Sequence, residues 1–257
     1  MIDVKKVSYA VNGKPILKNI SVEFESEKIN VILGANGAGK STLLRAIANL
    51  IDYDGDIFFE GKNIKNIERK IFAQKVGVLP QNLEAPKDLT VEELTFYGRH
   101  PYRSLFKGED EQKAKKAVDF ALEAAKVNHL KDRKLKDLSG GERQRANLAM
   151  VFAKTPELLL LDEPTTYLDI SHQLEVMEIV KSLNKEEKIT VIMVLHDLNH
   201  ALRYADNVII IKNGEIYKTG TPKETLSTKI IFDVFNVDSE MLQSKTGERV
   251  IFIKNKS

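Results

Sequence analysis

The sequence predicts an α/β fold with a mostly parallel sheet in its core, an N-terminal antiparallel β subdomain and an inserted α-helical subdomain. Leu158–Leu161 and Ile189–Leu195 are almost wholly apolar, which is typical of parallel strands covered on both faces. The first 35 residues alternate short β-rich runs with turn signals such as Asn12-Gly13, a pattern that favours antiparallel hairpins. Between Asp88 and Ala153 strand signals are few, and a charged helical stretch runs from about Glu109 to Lys126.

We predict one domain across residues 1–257, because this length suffices for a large α/β domain with an inserted subdomain. Its core comprises residues 1–87 and 156–257, and its helical subdomain comprises residues 88–155. The predicted strands are Ile2–Tyr9, Ser21–Glu25, Ile29–Leu33, Asp56–Phe59, Val76–Leu79, Leu158–Leu161, Ile189–Leu195 and Val208–Ile211. The predicted helices are Lys40–Asn49, Glu109–Lys126, Ser139–Ala153, one from about Ser171, and most of the tail from Thr221, which closes on Val250–Ile253.

Composition restricts the partners that the chain needs. A net charge of +2 is nearly balanced, so it gives no argument for a nucleic-acid partner. The chain has no cysteine, which excludes disulfides and cysteine-bound metals and is compatible with a reducing compartment. Its apolar runs fall far short of the roughly 20 residues of a membrane span, and Met1–Lys6 has no apolar signal core. Any link to a membrane is therefore expected to run through a partner protein.

A glycine-rich loop follows the strand Ile29–Leu33 and leads directly into a helical run. It has the G-x-x-x-x-G-K-[ST] pattern in the strand–loop–helix context that a phosphate-binding P-loop requires. Lys40 is expected to reach the β- and γ-phosphates of ATP, and the Ser41 hydroxyl is expected to ligate Mg²⁺. The predicted nucleotide-binding residues of the loop are Asn36, Gly37, Ala38, Gly39, Lys40, Ser41 and Thr42.

An acidic pair follows the apolar strand Leu158–Leu161. Ligands of doubly wound sheets bind beyond the carboxyl ends of the strands, which is where Asp162 and Glu163 lie in the sequence. Alone, such a pair is more often an exposed turn. With a P-loop upstream, Asp162 is predicted to support Mg²⁺ and Glu163 to polarise the attacking water.

A second predicted anion site lies in Leu138–Arg145. Ser139 and Glu142 have the spacing of a capping box, and Gly140 and Gly141 leave N–H groups bare at the start of the helix. A capped surface helix without a ligand is the alternative.

Residue for residue, Leu138-Ser139-Gly140-Gly141-Glu142-Arg143-Gln144-Arg145 matches the signature sequence of ABC ATPases. The chain thus resembles an ABC transporter nucleotide-binding subunit from Tyr9 to about Val237. The resemblance implies a head-to-tail dimer of two copies with two ATP molecules at the interface, where the signature of one copy closes on ATP bound by the other.

The resemblance also assigns roles to single positions. Tyr9 resembles the aromatic residue that stacks on adenine, and Gln81 resembles the glutamine that senses Mg²⁺ and connects the core to the helical insertion. Asp169 lies in a segment that resembles the loop crossing to the partner subunit. His196 resembles the histidine that contacts the γ-phosphate, although a lone histidine is more often structural. Glu163, His196 and Gln81 are thus the predicted catalytic residues, and Ser41, Gln81 and Asp162 the predicted metal ligands.

Four further segments, Gly98–Pro101, Pro164–Gln173, Leu195–Ala201 and Arg203–Asp206, resemble the ATPases of iron-chelate and vitamin B12 uptake. The resemblance implies import of a ferric siderophore or haem; cobalamin and molybdate or tungstate are the alternatives. It also implies transmembrane permease subunits, an indirect substrate-binding protein and a place on the cytoplasmic face of the membrane. Two alternatives belong to other functional classes, a DNA-repair ATPase and a translation factor. Both are disfavoured, because a DNA-repair ATPase would carry a long coiled coil between P-loop and signature and a translation factor would carry two ATPase domains.

The surface that transmits motion to a permease is predicted in the groove between core and insertion. Its predicted lining is Asn82–Asp88 and the aromatic-rich Tyr97–Phe106. Exposed aromatic side chains suit the docking of a partner helix. The alternative is that Tyr97, Tyr102 and Phe106 pack the core of the insertion.

Overall fold

The computed structural model describes residues 1–83, 85–102, 110–245 and 247–254. The chain divides into two units, the first made of Met1–Lys65 with Ile192–Ser257 and the second of Asn66–Val191. The predicted boundaries, which separate an ATP-binding core (1–87 and 156–257) from a helical subdomain (88–155), follow function rather than these two units and stay a prediction. Among the described residues, no helix combines the length and apolarity needed to cross a bilayer.

In chain order, the strands are β1 (Ile2–Val11), β2 (Lys14–Phe24), β3 (Ile29–Leu33), β4 (Asp54–Phe59), β5 (Lys62–Asn63), β6 (Val76–Leu79), β7 (Leu158–Asp162), β8 (Thr190–Val194), β9 (Asn207–Lys212), β10 (Glu215–Gly220), β11 (Ser239–Gln243) and β12 (Arg249–Ile253). The α-helices are α1 (Lys40–Ile47), α2 (Arg69–Lys75), α3 (Val91–Tyr97), α4 (Glu111–Ala124), α5 (Gly140–Phe152), α6 (Ile170–Glu187), α7 (Leu198–Tyr204), α8 (Pro222–Thr225) and α9 (Thr228–Phe235).

The first unit contains the predicted antiparallel sheet, with the strand order β2-β1-β4-β5. Asn12 and Gly13 join β1 to β2 with φ values of 49° and 77°, the left-handed pair that a tight hairpin turn requires. β2 begins at Lys14, seven residues before the predicted Ser21. The prediction missed these residues because exposed polar side chains such as Lys18 obscure the alternation of apolar and polar residues that marks a strand. Pairing with β1 extends this strand.

The same unit contains the strands that carry the P-loop. All five residues of β3 are buried, and β3 pairs in parallel with β9, whose apolar run Val208–Ile211 predicted a parallel strand. β9 in turn pairs antiparallel with β10. β3 ends at the P-loop and α1 follows it, so the loop is held between a buried strand and a helix.

The second unit contains the parallel pair β6 and β7 and most of the helices. α3, α4 and α5 pack against one another, and the described part of the 88–155 region contains no strand beyond a single bridge between Thr90 and Lys134. Thr90 and Glu93 form the capping box of α3. The predicted helical insertion and this cap are therefore confirmed.

The tail prediction was partly wrong. Helices α8 and α9 occupy its first half, but β11 and β12 then form a two-stranded antiparallel sheet, here called the C-terminal hairpin. β11 reads Ser-Glu-Met-Leu-Gln, and its Glu, Met, Leu and Gln favour helices in isolation. Pairing with the β-branched residues of β12 overrides that preference, as tertiary context commonly does.

Candidate nucleotide site

The P-loop encloses its own lysine. The side chain of Lys40 is buried, with 5% exposure. Its ammonium Nζ donates to the carbonyl oxygens of Gly34 at 2.9 Å and Ala35 at 3.1 Å. A cation is thus held inside the curve of the loop, where it can meet the negative oxygens of a phosphate chain.

Two positions of the loop must be glycine, because the backbone there packs so closely on neighbouring residues that no Cβ would fit. A Cβ on Gly39, which has φ +103°, would lie 2.9 Å from Leu17 Cδ2 and 3.0 Å from the carbonyl oxygen of Ile16. A Cβ on Gly34 would lie 2.3 Å from the carbonyl oxygen of Ile211. Gly39 is also the N-cap of α1 and supplies no side-chain cap, so the first N–H groups of the helix remain for an anion. Ser41 and Thr42 lie in this first turn, and the arrangement fits a bound phosphate.

A cleft of about 540 Å³ opens beside the loop within the first unit. Gly34, Ala35, Asn36 and His196 all line it. His196 therefore lies near the P-loop, and its contact with the γ-phosphate stays a prediction. Tyr9, half-buried on β1 opposite Leu17, is not among the described residues that line this cleft.

Sequence reasoning missed the C-terminal part of the cleft's lining. It consists of Phe235, Val237, Ile251 and Ile253, which are contributed by α9, the segment after it and the C-terminal hairpin. The side chain of Asn199 holds the hairpin, because its Oδ1 accepts from the N–H of Ile251 at 2.7 Å and its Nδ2 donates to the carbonyl of Ile251 at 3.2 Å.

The acidic pair lies in the second unit, at the end of β7. Asp162 is buried, with 4% exposure, whereas the next residue, Glu163, has a left-handed backbone at φ 54°. Glu163 Oε2 accepts from Gln81 Nε2 at 2.7 Å and from Thr166 Oγ1 at 3.1 Å. Gln81 and Glu163, predicted from separate motifs, therefore form one hydrogen-bonded group. A carboxylate fixed by two neutral donors can orient a water molecule.

The signature helix α5 begins with the predicted capping box. Ser139 N–H donates to Glu142 Oε2 at 2.8 Å, and Glu142 N–H donates to Ser139 Oγ at 3.3 Å. The bond from the Ser139 N–H lowers the pKa of Glu142, which keeps the carboxylate ionised and the box closed at neutral pH. Gly140 and Gly141 are the first two residues of the helix.

Asp169 is the N-cap of α6. Its carboxylate accepts from the N–H of His172 at 2.9 Å and from Ser171 Oγ at 3.0 Å, and the first of these bonds lowers the pKa of the carboxyl group. On either side, Tyr167 is 91% exposed and Ile170 is 77% exposed. The predicted crossing loop therefore has a fixed backbone and two large apolar side chains in solvent.

Comparisons with known proteins agree with this description. A family model for ABC transporters matches residues 17–166. The chain is similar to the petrobactin import ATP-binding protein FpuC of Bacillus anthracis, with 42% identity over 244 residues that cover 95% of this chain and 89% of that protein. It is also 41% identical over 226 residues to the ferric enterobactin transport ATP-binding protein FepC of Escherichia coli K12, covering 86% of this chain and 82% of FepC.

Similarity extends to the hemin import ATP-binding protein HmuV of Shewanella denitrificans, with 36% identity over 98% of this chain and all of HmuV. Among solved structures, cbiO1 of Clostridium perfringens superposes with a TM-score of 0.77 and 30% identity, over 90% of this chain and 92% of cbiO1. A dimeric ABC transporter cassette, MJ0796, superposes with a TM-score of 0.74 and 29% identity, over 86% of this chain and 99% of MJ0796.

Proposed function

Because the chain belongs to the family of ABC transporter ATP-binding proteins, we propose that it powers an importer of iron chelates. In this proposal two copies form a head-to-tail dimer, and ATP hydrolysis drives a siderophore or haem complex through a permease. The observation that carries the cargo assignment is the set of relatives named for petrobactin, ferric enterobactin and hemin import. These relatives match 86% to 98% of this chain.

The proposed chemistry divides among the chain's own residues. Lys40 and the N–H groups of α1 bind the phosphates, and Tyr9 stacks on adenine. Glu163, held by Gln81 and Thr166, orients and deprotonates the attacking water, and His196 contacts the γ-phosphate. Stabilising charge and positioning the nucleophile supply most of the catalysis in phosphoryl transfer.

We assign Mg²⁺ to oxygen atoms of Ser41, Asp162 and Gln81. Hydroxyl, carboxylate and amide oxygens are the hard ligands that Mg²⁺ prefers, and the ion usually completes its shell with water and substrate phosphates. Accordingly, a ready-made cluster of three acidic or histidine side chains is unnecessary, and the described residues contain none. When bound, Mg²⁺ neutralises charge on the β- and γ-phosphates.

The signature is proposed to act in trans. Ser139, Gly140, Gly141 and Glu142 present the N–H groups of the helix start to ATP bound by the partner copy, and Asp169 lies on the loop that crosses to that copy. Support comes from the dimeric cassette MJ0796 and from a post-hydrolysis MJ0796 dimer bound to ADP and Pi, which is 28% identical to this chain.

Two concave surfaces of the second unit are proposed to receive the permease. A cavity of about 400 Å³ is lined by Leu89, Glu93, Phe96, Tyr97 and His100. Another, of about 420 Å³, is lined by Leu83, Ala85, Lys87, Leu135, Arg143 and Asn147. The first cavity is mainly apolar and the second carries the charged side chains of Lys87 and Arg143, a combination that suits the apolar and polar faces of an amphipathic helix from a partner.

The aromatic residues of the predicted lining differ in their contacts. Tyr97 is 57% exposed and belongs to the first cavity. Tyr102 instead donates from its hydroxyl to the carbonyl of Lys154 at 2.8 Å, and the Arg99 guanidinium stacks on its ring at 3.7 Å, so it packs the unit internally. Glu84 and Phe106, which belong to the same prediction, lie outside the described residues.

Transport by the assembled complex tests the proposed function. The chain, its permease and its binding protein would be reconstituted in vesicles and supplied separately with ferric siderophore, haem, cobalamin and molybdate. We expect ATP hydrolysis and uptake to be stimulated by an iron chelate. Stimulation by cobalamin or molybdate alone would transfer the chain to that alternative. An ATPase without any permease would point to a non-transport ABC protein, which the short insertion between P-loop and signature disfavours.

A further inference from the structure

The two glycines of the signature have different surroundings. A Cβ added to Gly140 would meet nothing nearer than Leu168 Cδ2, at 4.0 Å. A Cβ added to Gly141 would lie 2.3 Å from Cγ and 2.4 Å from Cδ2 of the His172 ring. Gly140 therefore borders open space, whereas Gly141 is covered by a side chain of its own subunit.

The His172 ring lies against a charged pair that restricts its movement. His172 Nδ1 lies 3.3 Å from Arg145 Nη1 and 3.2 Å from Glu175 Oε2, and Arg145 pairs directly with the Glu175 carboxylate. The side chain of Arg145 is itself largely buried, and its Nε has no hydrogen-bond partner among the described residues. Displacing the ring would thus disturb a partly buried charged group, which is costly.

A further bond ties α5 to the segment after Glu163. Gln144 Nε2 donates to the carbonyl oxygen of Pro164 at 2.8 Å. The start of the signature helix is therefore attached to the residues around Glu163 and to the first turn of α6.

We propose that His172 is a positioning residue for the signature: it packs on Gly141, and with Arg145 and Glu175 it sets where Ser139 and Gly140 meet the partner's ATP. The inference rests on the proposed function, because it explains how a trans-acting loop is held. In this proposal, position 141 must be glycine because a side chain would collide with His172 of the same subunit. Position 140 must be glycine because the ligand needs the space in front of it. A misplacement of about 1 Å far from the chemistry can cost roughly 100-fold in rate, so such a support matters.

A double-mutant cycle tests this assignment in the full-length chain. Gly141→Ala and Gly140→Ala would each be made with and without His172→Ala, all carrying Glu163→Gln so that ATP-driven dimers accumulate. Sizing against ATP concentration measures dimerisation, and equilibrium binding of ATP to the monomer is measured in parallel. Overpacking at a filled site predicts that Gly141→Ala weakens dimerisation by about 5- to 150-fold and leaves the monomer's ATP affinity within about twofold.

In the His172→Ala background the cost of Gly141→Ala should nearly vanish, while the cost of Gly140→Ala should be the same in both backgrounds. His172→Asn, which keeps a polar group toward Arg145, should dimerise better than His172→Ala. His129→Ala replaces an exposed histidine and is the matched control. An equal cost of Gly141→Ala in both backgrounds would overturn the proposal, and so would wild-type dimerisation by His172→Ala.

Thermal unfolding of the same variants separates this inference from the proposed function. If the Glu163→Gln chain never dimerises with ATP, the proposed function is wrong. The contact between Gly141 and His172 is then tested by the unfolding temperatures alone. Gly141→Ala must lower the unfolding temperature when His172 is present and have little effect when it is replaced by alanine; any other pattern rejects the contact.

Discussion

Replacing Glu163 by glutamine removes the negative charge of the carboxylate and keeps the size and shape of the side chain. The backbone at this position has φ 54°, and glutamate and glutamine tolerate that conformation about equally, so the substitution adds no strain. The amide oxygen of glutamine can still accept from Gln81 Nε2 and Thr166 Oγ1, which donate to Oε2 of the glutamate. The side chain should therefore keep its place and lose only its charge and its ability to take a proton.

The structural loss from Glu163→Gln is small beside the catalytic loss. Each of the two hydrogen bonds changes from a charge-assisted bond, worth about 1.5–3 kcal/mol, to a neutral one, worth about 0.5–1.5 kcal/mol. Because Glu163 is partly exposed, solvent screening reduces the total loss below about 2–3 kcal/mol. Each kcal/mol lowers the unfolding temperature of a domain of roughly this size by about 2–4 °C, so the unfolding temperature should fall by less than about 12 °C. Loss of a general base removes about 10²–10⁴-fold of the rate, or about 2.7–5.4 kcal/mol of transition-state stabilisation.

Steady-state phosphate release under saturating ATP measures this loss directly. We expect Glu163→Gln to bind ATP, to accumulate as an ATP-bound dimer in sizing experiments, and to release phosphate at least about 100-fold more slowly. Glu157→Gln is the matched control, because Glu157 is an exposed acid paired with Lys75. Phosphate release by Glu163→Gln near the wild-type rate, with the control also unchanged, would refute the role of Glu163 as the base.

The remaining predictions concern nucleotide binding and the permease. Lys40→Ala should weaken ATP binding by about 10- to 100-fold, the equivalent of one charge-assisted hydrogen bond, whereas Lys229→Ala on the surface should leave equilibrium binding unchanged. Ser139→Ala should spare ATP binding by the monomer and weaken ATP-driven dimerisation; equal loss of monomer binding in Ser139→Ala and Lys40→Ala would contradict the two-chain site. Leu83→Cys, in a chain without native cysteine, should crosslink to a cytoplasmic loop of the permease in the assembled transporter. Crosslinking from Lys229→Cys and not from Leu83→Cys would reject the proposed docking surface.

The parts of the fold that the sequence predicts are those specified by neighbouring residues. The hairpin turn at Asn12-Gly13, the buried β3 and the capping boxes at Thr90 and Ser139 all follow from residues a few positions apart. Backbone conformation, burial on two faces and helix capping are local requirements. A single sequence therefore contains enough information to place them.

Contacts between distant segments are less accessible to sequence reasoning. Gln81 and Glu163 are 82 residues apart, and the resemblance gave each a role without predicting the bond between their side chains. The contact of Gly141 with His172 was equally hidden, because a glycine in a recognised motif is readily assigned to its ligand. Only the position of the His172 ring reveals that the same glycine also serves packing.

The C-terminal hairpin shows how a site can extend beyond the motifs that identify it. The resemblance ends near Val237, yet Ile251 and Ile253 form part of the wall of the cleft that contains His196. Asn199 connects the two, because its side-chain amide offers one acceptor and one donor, the same pair that a neighbouring strand would offer to the backbone of Ile251. Asn199 lies three residues after His196 in the sequence, so the helix α7 that follows His196 is fastened to β12. A motif read one residue at a time assigns His196 a contact, but the lining of the cleft that contains His196 also depends on the pairing of β11 with β12, which overrides the helical preference of β11.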